Sequence, residues 1–249
     1  MAERQRADRL LVTRGLFESR ARAQAAIAAG LVTADGKVVA KASDEIPTDA
    51  EISAAPEHPW VSRGGVKLAG ALERYPIDVE DKVCLDVGAS TGGFTDVLLQ
   101  RGALRVYAVD VGRGQLAERL HNDPRVVSMQ RTNARNLTPA SLPERVTLAT
   151  IDVSFISLRL VLAPVASTFE AAGGDLIALV KPQFEAGRGE TKGGVVRDPA
   201  THARVVREVT AAAVAIGLES ASEIASPILG PEGNREFLLH LRVPARRRS

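Results

Sequence analysis

From Lys82 onward the chain alternates short apolar runs with amphipathic stretches, and this alternation limits the folds that it can adopt. Strands that alternate with helices form βαβ units, whose strands lie parallel in a sheet covered by helices on both faces. The apolar runs are residues 82–87, 105–111, 125–129, 146–155 and 175–181. Helices are predicted over residues 94–102, 114–121, 158–174 and 199–217. The sequence therefore predicts an α/β domain with a mostly parallel sheet.

The end of the chain departs from this alternation. Residues 220–226 lead into the Gly- and Pro-containing turn 227–234, and the apolar run 235–243 follows at once. A turn between two extended runs, with no helix to carry the chain back, predicts a hairpin. We therefore expect the last strand to lie antiparallel to its neighbours.

A glycine-rich loop follows the first strand of this domain. The stretch "CLDVGASTGGFTDVLL" ends its strand at Asp86 and then runs through Gly88, Gly92 and Gly93 into a helix. In open α/β sheets, ligands bind at the carboxyl ends of the strands. The loop is not the dinucleotide fingerprint G-x-G-x-x-G, because Ser90 stands at its second glycine position, and no Gly-Lys-Ser/Thr follows as in a phosphate-binding P-loop.

The second strand ends in Asp110, 24 residues beyond Asp86. A carboxylate at this point can accept hydrogen bonds from both hydroxyls of a ribose. An aspartate that ends a strand can also simply cap a helix. Together with the glycine loop, Asp110 predicts a site for a nucleoside without phosphates.

Charged residues end two of the buried strands, which a parallel sheet would bring together. Asp152 and Lys181 each end a buried strand, so their side chains are expected to face the same crevice, where burying them unpaired would be costly. A single structural ion pair is the alternative. Lys67, on a helix ahead of the first strand, and Glu236, at the start of the last strand, extend the set.

The first 41 residues are the basic part of the chain. They hold eight Lys and Arg against four Asp and Glu, a net charge of +4, whereas the rest carries 24 against 26. Two short helices and a hairpin are predicted there. Leu10, Leu11 and Leu16 form an apolar stripe on the first helix, and Ser19 caps the second. A basic segment of this kind favours a polyanionic partner, although a solvated surface is the alternative.

Further turn signals complete this segment. Gly30 closes the second helix as a left-handed cap, and Asp35-Gly36 is typical of a tight hairpin turn. Arg14, Arg20 and Arg22 lie near the turn between the helices, so their charges can gather at one edge. These arginines are the candidate contacts to a nucleic acid.

Composition excludes several classes of protein. No apolar run approaches the ~20 residues that span a bilayer, and the charged start "MAERQRADRL" does not resemble a secretory signal. The single cysteine, Cys84, cannot form an internal disulfide, which favours a reducing cytoplasm. The four histidines are scattered, and we expect no metal site.

The basic segment resembles an S4 RNA-binding domain, through Arg6, Asp8, the pair Ser19-Arg20, Gly30 and Gly36. The loop "DVGASTGGFTD" resembles motif I of S-adenosylmethionine-dependent methyltransferases, particularly the FtsJ-like ribose methyltransferases. With "VSRGGVKL", "DVSFISL", "KPQFE" and "GNREF", the chain is similar over almost its whole length to the TlyA family, which is also labelled hemolysin.

The resemblance implies a Rossmann-like class I methyltransferase sheet, mostly parallel with an antiparallel last strand, and a small N-terminal α+β domain of the S4 type. It implies domains over residues 1–55 and 62–249, joined by a linker over residues 56–61. Trp60, in that linker, is either a packing residue or a pin that seats the linker. The implied activity is 2′-O-methylation of cytidine in 16S or 23S ribosomal RNA, within ribosomal subunits, in the cytoplasm.

The resemblance also assigns roles to single residues. Lys67, Asp152, Lys181 and Glu236 match the catalytic Lys-Asp-Lys-Glu tetrad. Asn133 is expected beside the adenine of the cofactor, unless it is only a turn residue. The expected cofactor-binding set is Asp86, Gly88, Ala89, Ser90, Gly92, Gly93, Phe94, Asp110 and Asn133, and the expected RNA-binding set is Arg6, Arg14, Arg20 and Arg22.

The tetrad suits the chemistry of a sugar hydroxyl, which is a poor nucleophile until its proton is drawn away. A free lysine, with a pKa of ~10.4, is protonated at neutral pH, and burial or a nearby ammonium makes a lysine a better base. We expect Lys181 to be the base, Lys67 to orient the hydroxyl, and the two acids to hold the lysines. Two alternatives stay open: a membrane-lytic protein, and a non-catalytic RNA-binding assembly factor.

Overall fold

The computed structural model describes residues 3–54, 58–187 and 189–245. The chain divides into two units, Met1–Pro59 and Trp60–Ser249, called here the N-terminal and C-terminal units. Residues 56 and 57 of the expected linker lie outside the described residues, and so do residues 246–249 of the basic tail. Trp60 belongs to the C-terminal unit, where a Cβ added at Gly65 would lie 2.4 Å from its side chain, so it packs closely on that glycine.

The N-terminal unit combines two helices with short strands. Its elements are β1 (Arg4–Arg6), α1 (Ala7–Thr13), α2 (Arg20–Ala28), β2 (Val32–Ala34), β3 (Lys37–Val38), β4 (Glu45–Pro47) and β5 (Ile52–Ala54). Strand β1 pairs with β4, and β2 pairs with both β3 and β5, in each case antiparallel. The small α+β domain expected from the sequence is confirmed.

Its turns follow the sequence signals closely. Ser19 Oγ accepts a hydrogen bond from the Arg22 N–H at the start of α2. Gly30 has φ +73°, which closes α2, and Asp35 and Gly36 have φ of 50° and 72° in the β2–β3 hairpin. The prediction that Leu16 belongs to the apolar stripe of the first helix was wrong, because Leu16 lies beyond the end of α1 and is 43% exposed.

The C-terminal unit alternates strand and helix. Its elements are α3 (Gly64–Arg74), β6 (Val83–Val87), α4 (Gly93–Gln100), β7 (Arg105–Val109), α5 (Glu118–His121), β8 (Val126–Met129), β9 (Leu148–Ile151), α6 (Leu162–Ser167), β10 (Gly174–Val180), α7 (Pro182–Glu185), α8 (Pro199–Ala215), β11 (Glu219–Ala225) and β12 (Phe237–Val243).

Seven of these strands form one sheet in the order β11-β12-β10-β9-β6-β7-β8. Strand β12 is antiparallel to both of its neighbours, and the strands from β10 to β8 are parallel. Side chains alternate along β6, so that Leu85 and Val87 enter one core and Cys84 enters the other. The mostly parallel sheet, buried on both faces, and the antiparallel last strand are confirmed.

Two helices are shorter than predicted. The stretch 158–174 forms a short 3-10 turn and then α6, which ends at Ser167. The helix ends there because the chain returns to the segment before β9, where Glu170 N–H donates to the carbonyl of Val146. The stretch 114–121 is helical only from Glu118, since Gly114 has φ +64°. Within the described residues, no helix is both long enough and apolar enough to cross a membrane.

Gly173 and Gly217 offer a matched test of the close packing at the end of β12. Gly173 has φ +80°, and a Cβ there would lie 2.1 Å from the carbonyl oxygen of Val243; Gly217 has φ +88° and open space. We expect Gly217→Ala to lower the free energy of unfolding by about 1 kcal/mol, from backbone strain alone. Gly173→Ala should cost at least ~2 kcal/mol, because strain and the clash with the end of β12 act together. Denaturant unfolding of both variants measures the difference, and equal losses would contradict it.

Candidate functional site

Two adjoining cavities open at the carboxyl ends of the parallel strands. One, of about 440 Å³, is lined by Lys67, Lys181 and Arg63, and is called here the lysine cavity. The other, of about 340 Å³, is lined by Asp110 and Asn133, and is called the Asp110 cavity. Both are lined by Gly88, Ser90, Asp152 and Ser154. The two cavities therefore form one continuous site with the ends of β6 and β9 at its centre.

The glycine loop lies so close to the sheet that a side chain would not fit. A Cβ at Gly88 would lie 2.3 Å from the carbonyl oxygen of Asp152, and Gly88 itself has φ +82°. The adjacent Gly88 N–H donates to the carbonyl of Val109. The loop thus packs on the ends of β7 and β9 at once, and this brings Ala89 and Ser90 to the cavity walls.

Asp86 lies beneath the loop and lines neither cavity. Its carboxylate is fully buried and accepts hydrogen bonds from the hydroxyls of Thr95, at 2.6 Å, and Thr150, at 3.0 Å. Burial raises the pKa of Asp86 to about 6. The structure therefore gives Asp86 a supporting position, holding the start of α4 against β9. Gly92 also lines neither cavity; it packs against Leu116 and Leu120.

Asp110 both shapes the loop and faces the cavity. One carboxylate oxygen accepts from Ser90 N–H at 2.8 Å, and the other accepts from Gly112 N–H at 2.7 Å. Each oxygen can accept a further hydrogen bond. Asn133 is likewise both a turn residue and a cavity residue, since its side chain accepts from Arg135 N–H at 3.1 Å.

The four residues of the predicted tetrad come together as two ion pairs. Nζ of Lys181 lies 2.5 Å from Oδ1 of Asp152 and donates to Oγ of Ser154 at 2.8 Å. Nζ of Lys67 lies 2.5 Å from Oε2 of Glu236. Lys67, Asp152 and Lys181 line the lysine cavity, and Glu236 is buried behind Lys67. Two lysines from distant parts of the sequence thus face one cavity.

The turn before β12 makes room for Glu236. A Cβ at Gly230 would lie 2.2 Å from Oε1 of Glu236. Gly230 N–H donates to the carbonyl of Asn234, which closes the turn. Asn234 is buried, and its side chain donates to the carbonyl of Gly194 and accepts from Val196 N–H. These contacts hold the start of β12, and with it Glu236, against the preceding loop.

Sequence reasoning missed three residues near the tetrad. Ser154 follows Asp152 by two positions, and Phe155, which is 90% exposed and has φ +63°, packs on Phe184 with ring centres 4.9 Å apart. The buried carboxylate of Glu185 accepts from the Ser157 hydroxyl and from Leu158 N–H, each at 2.6 Å. Glu185 thereby joins the segments that follow β9 and β10. All three residues stand in the motifs "DVSFISL" and "KPQFE", so their closeness to Asp152 and Lys181 in sequence could have identified them.

The four arginines expected to bind RNA all lie in the N-terminal unit and all contact protein groups there. Arg6 and Arg20 pair with Asp8, Arg14 donates to the carbonyl of Ala50 at 2.6 Å, and Arg22 lies 3.7 Å from Glu18. Their guanidinium groups are therefore held in place by the fold, not loose on its surface.

Comparison with known proteins identifies the family of each part of the chain. The sequence model of the FtsJ-like methyltransferases matches residues 60–243, and that of the S4 domain matches residues 5–52. The chain belongs to the FtsJ-like methyltransferase family. This FtsJ-like chain is 49% identical to the 16S/23S rRNA (cytidine-2′-O)-methyltransferase TlyA of Mycobacterium tuberculosis, over 98% of the chain and 91% of the relative.

Other relatives carry a different name or are more distant. This FtsJ-like methyltransferase is 39% identical to Hemolysin A of Brachyspira hyodysenteriae, over 94% of the chain and 98% of the relative. A solved Streptococcus thermophilus structure matches with a TM-score of 0.77 and 44% identity, over 99% of this chain and 90% of that one. The fibrillarin of Methanococcus jannaschii, at 18% identity and a TM-score of 0.57 over 82% and 80% of the two chains, shares the fold.

The buried Asp86 predicts a pH dependence of stability. Burial raises its pKa in the folded protein to about 6, from the ordinary aspartate value of 3.8. Because the folded state favours the protonated form, stability increases as the pH falls through 6. Between pH 7.5 and pH 5, the wild-type free energy of unfolding should rise by roughly 1 kcal/mol relative to that of Asp86→Asn. Parallel denaturant titrations of the two proteins measure this change, and a constant difference across that range would refute it.

Proposed function

We propose that this protein transfers the methyl group of S-adenosylmethionine to the 2′-hydroxyl of a cytidine ribose in ribosomal RNA. The proposal rests chiefly on one observation: two lysines, each paired with an acid, face a cavity that adjoins a nucleoside-sized cavity. A site of this kind can hold a donor and a hydroxyl side by side, and positioning of that kind carries much of the catalysis in a group transfer.

The Asp110 cavity fits the nucleoside part of the cofactor. Asp110 keeps acceptor capacity for a ribose diol, and the apolar side chains of Val111, Ile156 and Val161 line the same cavity and suit an adenine ring. Gly88 and Ser90, at the border of the two cavities, would lie along the methionine part. When bound, S-adenosylmethionine supplies an electrophilic methyl group on its sulfonium.

Lys181 is the group to which we assign the hydroxyl proton. It lies in the lysine cavity beside Asp152, which lines both cavities. A hydroxyl bound in the lysine cavity would therefore lie close to a cofactor bound in the Asp110 cavity. In its neutral form, Nζ would accept the hydroxyl proton, so that the ribose oxygen could take the methyl group as its bond to the sulfonium sulfur breaks. Asp152 and Ser154 hold the amine in place, and the Asp152 carboxylate stabilises the ammonium that forms.

Lys67 and Glu236 form the orienting pair. The Lys67 ammonium donates to Glu236 and can donate a second hydrogen bond to the ribose oxygen, which fixes the direction of attack. The carboxylate of Glu236 holds this ammonium in place. Its other oxygen, Oε1, has no hydrogen-bond partner among the described residues, so its position depends on packing against Gly230.

The N-terminal unit supports RNA as the substrate. It matches the S4 domain, and its first 41 residues, with a net charge of +4, hold Arg6, Arg14, Arg20 and Arg22. Shape and phosphate contacts dominate recognition of folded RNA, so binding should weaken with salt. We propose ribosomal subunits as the form of the substrate, which would place the protein in the cytoplasm, and domains over residues 1–55 and 62–249 joined by a linker over residues 56–61.

Replacement of Lys181 tests the proposed function. Lys181→Ala should lower methyl transfer to unmodified ribosomal subunits by about 10²- to 10⁴-fold, the usual contribution of a general base. Its affinity for S-adenosylmethionine, measured by calorimetry, should change less than about threefold, because the Asp110 cavity is intact. Lys82→Ala is the matched control: Lys82 is also paired with an aspartate, Asp175, but precedes β6 at the opposite end of the strands.

Two results would count against this assignment. Undiminished turnover by Lys181→Ala would remove Lys181 as the base. Subunit binding without measurable S-adenosylmethionine affinity in the wild-type protein would instead indicate a non-catalytic assembly factor.

Gly230 and Gly233, three residues apart, test the role of Glu236. A Cβ at Gly230 would collide with the Glu236 carboxylate, whereas a Cβ at Gly233 would meet open space. We expect Gly230→Ala to reduce the rate of methyl transfer by at least ~30-fold, through displacement of the carboxylate that holds Lys67. Gly233→Ala, despite its φ of +84°, should stay within about threefold of wild type. Equal rates for the two variants would show that the position of Glu236 is unimportant.

A further inference from the structure

Asp8 is a fully buried carboxylate in the basic segment, residues 1–41, of the N-terminal unit. It stands in the first turn of α1, and its backbone N–H donates to the carbonyl of Ala42 at 3.1 Å. A buried carboxylate without charged partners would be strongly unfavourable. Its environment therefore has to supply cations or several hydrogen-bond donors.

The fold supplies more positive charge than one carboxylate requires. Arg6 donates from Nε to Oδ1 at 3.1 Å and from Nη2 to Oδ2 at 3.2 Å. Arg20 donates from Nε and Nη2 to Oδ2, at 3.2 and 2.6 Å, and Gln24 donates to the same oxygen at 2.7 Å. The Arg6 guanidinium, foremost among these partners, holds the pKa of Asp8 well below its usual range. One arginine would balance the charge, and the second leaves the cluster with a net charge of +1.

Both arginines bind Asp8 through the same edge of the guanidinium. Each uses Nε and Nη2, which leaves Nη1 on the opposite edge, and within the described part of the chain neither Nη1 has a hydrogen-bond acceptor. The side chains of Arg6 and Arg20 remain 41% and 49% exposed. Because one buried carboxylate anchors both groups, their spacing and orientation are fixed before any partner arrives.

A pair of guanidiniums held in this way is suited to phosphate oxygens. Arginine forks match the geometry of phosphate, and a free arginine loses considerable side-chain freedom when it binds. Here that freedom is already lost on folding, so binding a rigid polyanion costs less entropy. Arg22 differs from this pair, because its carboxylate partner Glu18, at 3.7 Å, is exposed and not buried.

We propose that Asp8 is a positioning residue of the RNA-binding surface, which acts through Arg6 and Arg20 and does not itself contact RNA. The proposal rests on the RNA-binding role proposed above for the N-terminal unit. It has an unusual consequence. Removal of an acidic side chain ordinarily strengthens binding to a polyanion, but removal of the Asp8 charge should weaken it.

The sign of this effect can be measured with the full-length protein and unmodified ribosomal subunits. Asp8→Asn is compared with Asp49→Asn, which removes the same charge from an exposed position in the same unit. Asn offers one neutral acceptor oxygen where Asp8 offers two charged ones, and its NH2 group would face a guanidinium donor. We therefore expect Asp8→Asn to bind about tenfold more weakly than wild type. The dependence of its affinity on salt should also be shallower, since fewer phosphates are contacted. Asp49→Asn should bind as wild type or slightly more tightly.

A charge-conserving variant covers the case in which Asp8→Asn fails to fold, which circular dichroism and thermal unfolding would reveal. Arg20→Lys keeps the positive charge at a half-exposed position but lacks the Nε and Nη2 edge that Asp8 holds. We expect it to bind about fivefold more weakly than wild type. Affinity equal to wild type in Arg20→Lys, or Asp8→Asn binding like Asp49→Asn, would overturn the positioning role.

A double variant separates this proposal from the RNA-binding role on which it rests. If Arg6→Ala with Arg20→Ala leaves subunit affinity unchanged, this surface does not bind RNA, and both proposals fail for these residues. If that double variant binds weakly but Asp8→Asn is folded and binds like its control, only the positioning role fails. If Asp8 acts through the arginines, adding Asp8→Asn to the double variant should change affinity less than twofold.

Discussion

The ion pair between Lys181 and Asp152 is the contact on which the rest of the site depends. It joins the ends of two neighbouring parallel strands, at the border of the two cavities. Two charges at the end of a buried sheet are stable only when they are paired and further hydrogen-bonded, as Ser154 does here for the lysine. Glu185 then joins the segments that follow the same two strands, so the pair is fixed from both sides.

The second constraint is close packing of backbone around this pair. Gly88 lets the loop after β6 touch the end of β9, and Gly230 leaves room for the carboxylate that holds Lys67. Gly88 is therefore required by its surroundings as well as by its φ of +82°, and Gly230, with φ −71°, is required by its surroundings alone. A parallel sheet brings strand ends together, and these glycines allow the loops to close over them without filling the cavities. The arrangement of the charged side chains thus follows from backbone packing at the carboxyl ends of the central strands.

Much of this could be predicted from the sequence. The alternation of apolar runs and helical stretches predicted the parallel sheet, and the turn 227–234 predicted that β12 is antiparallel. The charged residues at the ends of two buried strands identified Asp152 and Lys181 as candidate site residues. The acids were expected to hold the lysines, but which acid meets which lysine could not be predicted, because that depends on how β12 packs beside α3. The alternation of β6 likewise does not reveal that Asp86 turns inward to Thr95 and Thr150. Helix ends were misjudged where tertiary contacts decide them, as at Ser167. The arginines of the N-terminal unit were identified by charge, by position near a turn and by the S4 resemblance, but only the fold shows that Asp8 holds two of them.

The central claim is that a cluster of paired lysines and acids activates a sugar hydroxyl beside a methyl donor. The most direct measurement is the identity of the methylated atom. Unmodified ribosomal subunits, treated with the protein and isotopically labelled S-adenosylmethionine, are digested to nucleosides and analysed by mass spectrometry. The account predicts label on the ribose of a cytidine, in a linkage that resists alkaline cleavage. Label on a base, with the ribose unmodified, would contradict it.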